Sequence, residues 1–393
     1  MSKSQKELTV QRGRGTMVVD KGIYCTGCGA CERACPVGCI EMAVDSEGFS
    51  FPRIDKTTCI DCGKCEKACP LNNNTLQRSK NAYCYTAKAS SILSTSASGG
   101  AFSSIARAFV SDGGAVIAVS DDVQKGSSFE LVSTGEELSS FAGSKYYQCD
   151  LKSSDFVKIE SALKQGVCVL FCGTPCQVLA VKNAVPKRLQ HGLYLIDIIC
   201  QGVPSRTSID TYRREVEKRK GSKLLQHVFR AKVKGEEGHY VSRLSFADGD
   251  RCDQVGGDNL FTRAFMYQVS LRESCYQCPF ARQERAGDLT LGDYWSESLE
   301  EGYVRGSTSL ILENTKKGAE LLGQLGGLGR IQKVPLEAAT ADNIPLHHPV
   351  SRPFARSFFY PLMRKIGFMR ASKLCCWRYS LKHAVRRCVG SRG

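Results

Sequence analysis

Between residues 115 and 200 the apolar positions bunch into short dense runs, AVIAVS (115–120), VCVLFCG (167–173) and LYLIDIIC (193–200). Runs of that length bounded by turns predict buried strands, and helical spacing marks the stretches at about 100–111, 175–184 and 206–220. Strands alternating with helices build an α/β layer, which receives ligands at the C-terminal ends of its strands. Around 225–250 the segments LLQHVFRAKVK and HYVSRLSFADGD alternate like antiparallel strands, so the expected sheet is mixed. Ahead of this body lies the polar link LNNNTLQRSK, and ahead of that CIEMAVDSEGFSFP (39–52) reads as a hairpin turning at Asp45 to Gly48.

The far end has a third pattern. From Leu362 to Val389, Ile366, Met369, Leu374, Trp377, Leu381, Ala384 and Cys388 recur every three to five residues with Arg and Lys between them. This is a basic amphipathic helix, broken at Gly367 and stopped by Gly390. Residues 351–393 hold eleven Lys or Arg and no acid, most of the net charge of +15. A basic amphipathic face suits an anionic lipid surface, making peripheral contact at the inner face of a membrane one reading of the tail. The plainer one is a terminal helix packed on its own domain. Nucleic acid is disfavoured, because no readout fold accompanies the charge.

At 42% apolar the 393 residues are those of a globular chain, and the length exceeds the roughly 250–300 residues one core supports. The segments suggested are an extension (1–20), a cysteine-rich domain (21–78), a body in two parts (80–165 and 166–350) and the basic tail (351–393). No secretory leader and no apolar stretch of about 18 residues is visible, so the expected location is the cytoplasm.

Twenty-one cysteines change the picture from fold to chemistry. CTGCGACERACP (25–36) and CIDCGKCEKACP (59–70) form a repeat offset by 34 residues, each a C-x2-C-x2-C-x3-C-P run. In that arrangement three cysteines wrap one iron–sulfur cluster and the fourth crosses to the other. One [4Fe-4S] cluster is therefore assigned to Cys25, Cys28, Cys31 and Cys69, and the second to Cys59, Cys62, Cys65 and Cys35. Zinc also accepts four thiolates, but the doubled run with Pro36 and Pro70 favours clusters. Cys39 is left as a lining residue.

Two turns read as anion cradles. Ser96-Ala97-Ser98-Gly99-Gly100-Ala101-Phe102 opens a helix, and Gly173-Thr174-Pro175-Cys176 follows a strand; both would turn free amides and a helix dipole toward a phosphate. Cys176, Cys200 and the pair Cys275-Tyr-Gln-Cys278 make a possible four-thiolate site, which spacing alone leaves open between zinc and iron–sulfur.

SASGGAF (96–102), GSKYYQ (143–148), FCGTPCQV (171–178), CQGVPS (200–205), CYQCPF (275–280) and DLTLGDYW (288–295) together resemble the coenzyme F-420 hydrogenase/dehydrogenase beta-subunit family, fused behind a bacterial-type two-cluster ferredoxin. The resemblance implies an α+β ferredoxin-like module followed by an α/β flavoprotein domain that binds FAD. It further implies a third [4Fe-4S] cluster on Cys176, Cys200, Cys275 and Cys278, with FAD contacts at Ser98, Gly99, Gly100, Lys145, Thr174 and Ser205. Where many relatives have Cys-His-Gly this chain has Cys200-Gln201-Gly202, so no role for that histidine carries over. Cys168 and Cys172, four apart on one predicted strand, are expected to be small buried hydrophobes. Lys145 is read as either a flavin contact or a solvated lysine, Asp293 as either a loop-orienting or a turn-fixing residue. The six histidines are read as ordinary surface or core residues.

The function implied is a hydride exchange between a deazaflavin or nicotinamide carrier, or another small substrate, and FAD. Single electrons would pass through the clusters to a redox protein or another oxidoreductase subunit. The alternatives are a reductase of a biosynthetic intermediate and a non-catalytic electron relay.

Overall fold

In a computed structural model describing residues 22–236, 240–296, 303–304 and 306–377, the repeated cysteine run becomes a repeated unit. Helices α1 (Ala30–Ala34) and α2 (Lys64–Ala68) each follow a glycine at the N-cap and pack on one another. Between them β1 (Ile40–Val44) and β2 (Ser50–Ile54) pair as the expected antiparallel hairpin. Its turn is closed by Asp45 Oδ1, which accepts from the amides of Glu47 and Phe49.

The segment expected to be a plain link contains β3 (Gln77–Arg78) and runs into β4 (Asn81–Ala87). There follow α3 (Ser90–Thr95), α4 (Ala101–Ser111), β5 (Ala115–Asp122), β6 (Gly126–Val132), α5 (Ser153–Lys164), β7 (Val169–Gly173), α6 (Pro175–Ala184), β8 (Leu193–Ile198) and α7 (Arg206–Lys220). The antiparallel stretch becomes β9 (Leu224–Val228), β10 (Val241–Phe246) and β11 (Arg251–Val255), with α8 (Leu260–Met266) behind it. The chain then returns through β12 (Glu284–Arg285), β13 (Leu289–Asp293), β14 (Ser309–Glu313), α9 (Lys316–Gly323), β15 (Gly329–Val334) and α10 (Leu336–Thr340) to α11 (Arg356–Ile366) and α12 (Phe368–Cys375).

One eight-stranded sheet dominates, in the order β15-β4-β14-β13-β8-β7-β5-β6. β5, β7, β8 and β13 are mutually parallel, and the flanking strands pair antiparallel, so the sheet is mixed. Alternate side chains supply its two cores. Val169 and Phe171 join α5, α6 and Ala30 of α1 on one face, whereas Leu170, Ile196 and Ile311 join α4 and Leu321 on the other. Burial on both faces explains why the parallel strands read as continuous apolar runs.

Cys168 departs from expectation. β7 begins one residue later, at Val169, so Cys168 sits outside the strand and is exposed, while Cys172 is half-buried. The tail does break at Gly367, but into two packed helices. Phe359, Met363, Phe368 and Met369 share a core with Tyr212, Phe261 and Phe49 of the hairpin turn, leaving Leu374 and Trp377 exposed. Leu381, Ala384 and Cys388 lie outside the described residues. Among the described residues no helix is long and apolar enough to cross a membrane.

Candidate functional site

The edge of the sheet where the parallel strands end collects most of the residues singled out by the sequence. β5 ends at Asp121 and Asp122, β7 at Gly173, β8 just before Cys200 and β13 at Asp293. β14 starts there too, because Ser309 pairs with Asp293 and with Tyr85 near the end of β4. The loop from Ser96 to Gly100 follows β4, so the two turns read as anion cradles lie along one rim.

They differ in what remains open. Thr174 is the N-cap of α6, and its amide and hydroxyl both donate to Gln177 Oε1 at 3.1 and 2.9 Å. This capping box fills the helix end, so the second turn is not a free cradle. Thr174 Oγ1 also lies 3.1 Å from Cys176 Sγ, which fixes that thiol. The first turn is less committed. Gly100 gives α4 no side-chain cap, and the hydroxyl of Ser98 is buried with no hydrogen-bond partner. A side chain at Gly99 would strike Tyr85 O at 2.0 Å and Ser309 N at 2.7 Å, so only glycine lets the loop lie against the strand ends. An orphaned hydroxyl beside an uncapped helix start suits the phosphate end of a nucleotide cofactor.

Lys145 reaches the same rim from below. Nζ donates to Phe141 O at 2.8 Å and Ala142 O at 3.0 Å. Burial pulls its pKa down to about 8, with Asp121 and Cys172 within electrostatic range. Ser205 is fully buried: its Oγ accepts from the Ser208 amide at 3.3 Å, and its own amide donates to Tyr360 Oη at 3.1 Å. It caps α7 and faces the hairpin turn at Gly48 rather than the rim.

Three segments, the start of α6, the loop after β8 and the turn at 275–278, bring Cys176, Cys200, Cys275 and Cys278 together. Burial raises each thiol, Cys275 to about 11 and Cys278 to about 12, and every pair among the four is within mutual electrostatic range. Gly202 permits the approach. At φ +130° it occupies backbone space that side chains avoid, and a Cβ there would meet Cys275 Cβ and Leu271 Cδ1, each at 2.9 Å. Buried thiols of this kind ionise only when a cation compensates them, which is the chemistry of a metal-centre donor set.

The N-terminal cysteines form two further groups. Cys25, Cys28, Cys31 and Cys69 line one recess of about 320 Å³ together with Met42 and Leu71. Cys35, Cys39, Cys59 and Cys65 lie in a second apolar cluster, with Cys62 of the same loop exposed. Cys39 is more than a lining residue. Its Sγ lies 3.3 Å from Cys35 Sγ, and its amide donates to the same sulfur at 3.3 Å. Cys28, Cys176 and Cys278 pack against the same core cluster, and Cys28 is within electrostatic range of Cys176, so the first group abuts the four-thiol site.

Several residues here gave no sequence signal. Arg272 donates to Cys25 O, Ser50 O and Gln148 Oε1, tying the cysteine-rich segment to the body. Arg230 pairs with Asp293 at 2.6 Å, which gives Asp293 its partner. Arg285 and Asp197, 1% and 0% exposed, pair at 3.1 Å, and Asp197 also accepts from the amides of Ala286 and Gly287. His227 is buried with neither ring nitrogen bonded, and burial, with Arg213 nearby, holds it neutral.

Comparison with known proteins adds three findings. A 42-residue stretch is 50% identical to NADH-quinone oxidoreductase subunit I 2 of Anaeromyxobacter dehalogenans (strain 2CP-C), covering 11% of this chain and 16% of that protein. In structure the chain is similar, at TM-score 0.45 and 14% identity, to a chain of the F420-reducing [NiFe] hydrogenase complex from Methanosarcina barkeri, covering 81% of this chain and 95% of that one. Residues 24–73 match the 4Fe-4S dicluster domain, and residues 168–339 match the C terminus of the coenzyme F420 hydrogenase/dehydrogenase beta subunit. Two regions of the chain thus match known families, residues 24–73 a 4Fe-4S dicluster domain and residues 168–339 the C terminus of the coenzyme F420 hydrogenase/dehydrogenase beta subunit, in that order along the chain.

Proposed function

We propose that this protein is an iron–sulfur flavoprotein oxidoreductase, exchanging a hydride between a small carrier and FAD and relaying single electrons to a redox-protein partner. The observation that carries the reading is that Cys28, Cys176 and Cys278 pack against one core cluster where α1 and α2 meet α6, which joins the dicluster segment to the four-thiol site. Cys25, Cys28, Cys31 and Cys69 would hold an inner [4Fe-4S] centre, Cys59, Cys62, Cys65 and Cys35 an outer one, and Cys176, Cys200, Cys275 and Cys278 a third. Spacing alone suits zinc as well as iron–sulfur at the last site; the family motifs around these four cysteines favour iron–sulfur.

FAD would lie along the rim. Ser98 and the start of α4 would take its phosphates, Gly99 and Gly100 would let it approach, and Lys145 would face its negative charge. A bound flavin accepts electrons in pairs and releases them singly, which is what couples a hydride donor to one-electron centres. The protein's part is to hold these groups close, exclude water from the inner thiols and leave Cys62 near solvent for a partner.

Anaerobic reconstitution tests this directly. Three four-iron centres give about twelve iron per chain with one flavin. About eight iron without flavin would leave an electron-relay subunit, and zinc recovered from the four-thiol site would remove the third centre. Reduced deazaflavin, NADH and NADPH, offered in turn to the reconstituted protein, identify the carrier.

A further inference from the structure

We propose that Arg272 is the common counter-charge of the inner [4Fe-4S] centre and the third one, a positioning residue that raises the reduction potentials of both. The proposal rests on the function given above.

Arg272 is 1% exposed. Nε donates to Cys25 O at 2.7 Å, Nη2 to Ser50 O at 2.8 Å and Nη1 to Gln148 Oε1 at 3.2 Å, while the guanidinium lies 4.2 Å from the Phe51 ring centre. Every acceptor is neutral. Four of the five other buried arginines, Arg213, Arg230, Arg285 and Arg356, each meet a carboxylate: Asp121, Asp293, Asp197 and Glu47. The network of Arg272 reaches a carboxylate only at second hand, through Gln148 Nε2 and Ser50 Oγ, both of which donate to Asp150.

A buried cation without a direct partner is costly, so a nearby anion is the expected compensation. Two flank Arg272. Its main-chain contact is Cys25 of the inner set, and its charge reaches Cys176 and Cys275 of the third. A [4Fe-4S] centre on four thiolates is a dianion when oxidised and a trianion when reduced, so an adjacent positive charge favours the reduced form. The exchange between the two centres moves one electron and no proton: one loses the negative charge the other gains, and Arg272 faces both. Cys62 of the outer set is exposed, so solvent screens that centre and it should feel the charge less.

The test is an EPR-monitored redox titration of the reconstituted full chain bearing R272Q, R272K or Q148E. Two of three midpoint potentials should fall in R272Q and stay near wild type in R272K, which keeps the charge. Q148E keeps the arginine but sets a carboxylate against it, and should lower the same two. Unchanged potentials in iron-replete R272Q or in Q148E would overturn the proposal, as would three centres moving together. Should both arginine variants lose iron, Q148E alone decides. Wild-type protein with eight iron would instead remove the third centre, a failure of the functional reading that iron analysis distinguishes from a failure of Arg272.

Discussion

Cys28 and Cys62 hold the same place in the two copies of the cysteine run, yet Cys28 is half-buried beside Cys176 while Cys62 is exposed. The residues around them diverge in step. Ala30 is 0% exposed in the core formed with α5 and α6, and its counterpart Lys64 is exposed. Gly27 is buried where Asp61 is exposed, although both have positive φ. Thr26 corresponds to Ile60, which is 60% exposed. One motif supplies two equivalent ligand sets, and the small changes between them decide which copy docks and which faces outward. On the proposed function, that asymmetry rather than the ligands would decide which centre faces a partner.

Making the inner copy resemble the outer one should break this arrangement most severely. Ala30→Lys forces an unpaired charge into the packed face and is expected to cost about 3–5 kcal/mol, read by denaturant unfolding, while Lys64→Ala stays within about 0.5 kcal/mol. Next in size is the order of loss under oxidation. In brief exposure to air the outer centre should go first, so that iron falls from about twelve to about eight per chain while the inner EPR signals persist; simultaneous loss would erase the distinction. Thr174→Ala removes a cap and the contact to Cys176, and is expected to cost about 1 kcal/mol, with the third centre's signal altered and the ferredoxin signals unchanged.

The smallest effect is a pH slope. Lys145 has a folded pKa of about 8 against 10.5 for an exposed lysine. Between those values the unfolded chain binds more protons, so stability rises with pH as the buried ammonium sheds its charge. Lys145→Met should lack that rise, seen by thermal melts from pH 7.5 to 10, and bound flavin should suppress it in the wild type by favouring the ammonium.

Local spacing carried much of this. The helices at 175–184 and 206–220 and the hairpin turn emerged where their patterns place them, because period and capping are properties of neighbouring residues. β4 did not. It lies inside the sheet, but Asn81, Tyr83, Tyr85 and Thr86 interrupt the apolar run, and the partners their polar groups find are distant in sequence, Glu313 for Asn81 and Tyr83 and Ser104 of α4 for Tyr85. The dicluster repeat was legible from its spacing, and the structure does bring Cys176, Cys200, Cys275 and Cys278 near one another. Arg272 was not: a lone arginine shows its role only when Cys25, Ser50 and Gln148, up to 247 residues away, have closed around it.

The tail helices meet the hairpin turn, where Arg356 pairs with Glu47 and Arg364 Nη1 donates to Ser46 O. Those partners are 309 and 318 residues apart. At synthesis rates of about 5–20 residues per second, the ribosome needs roughly 15–60 s to deliver the second after the first. During that interval the nascent ferredoxin segment lacks its latch, so a scaffold that delivers iron early meets a target whose inner face is still open.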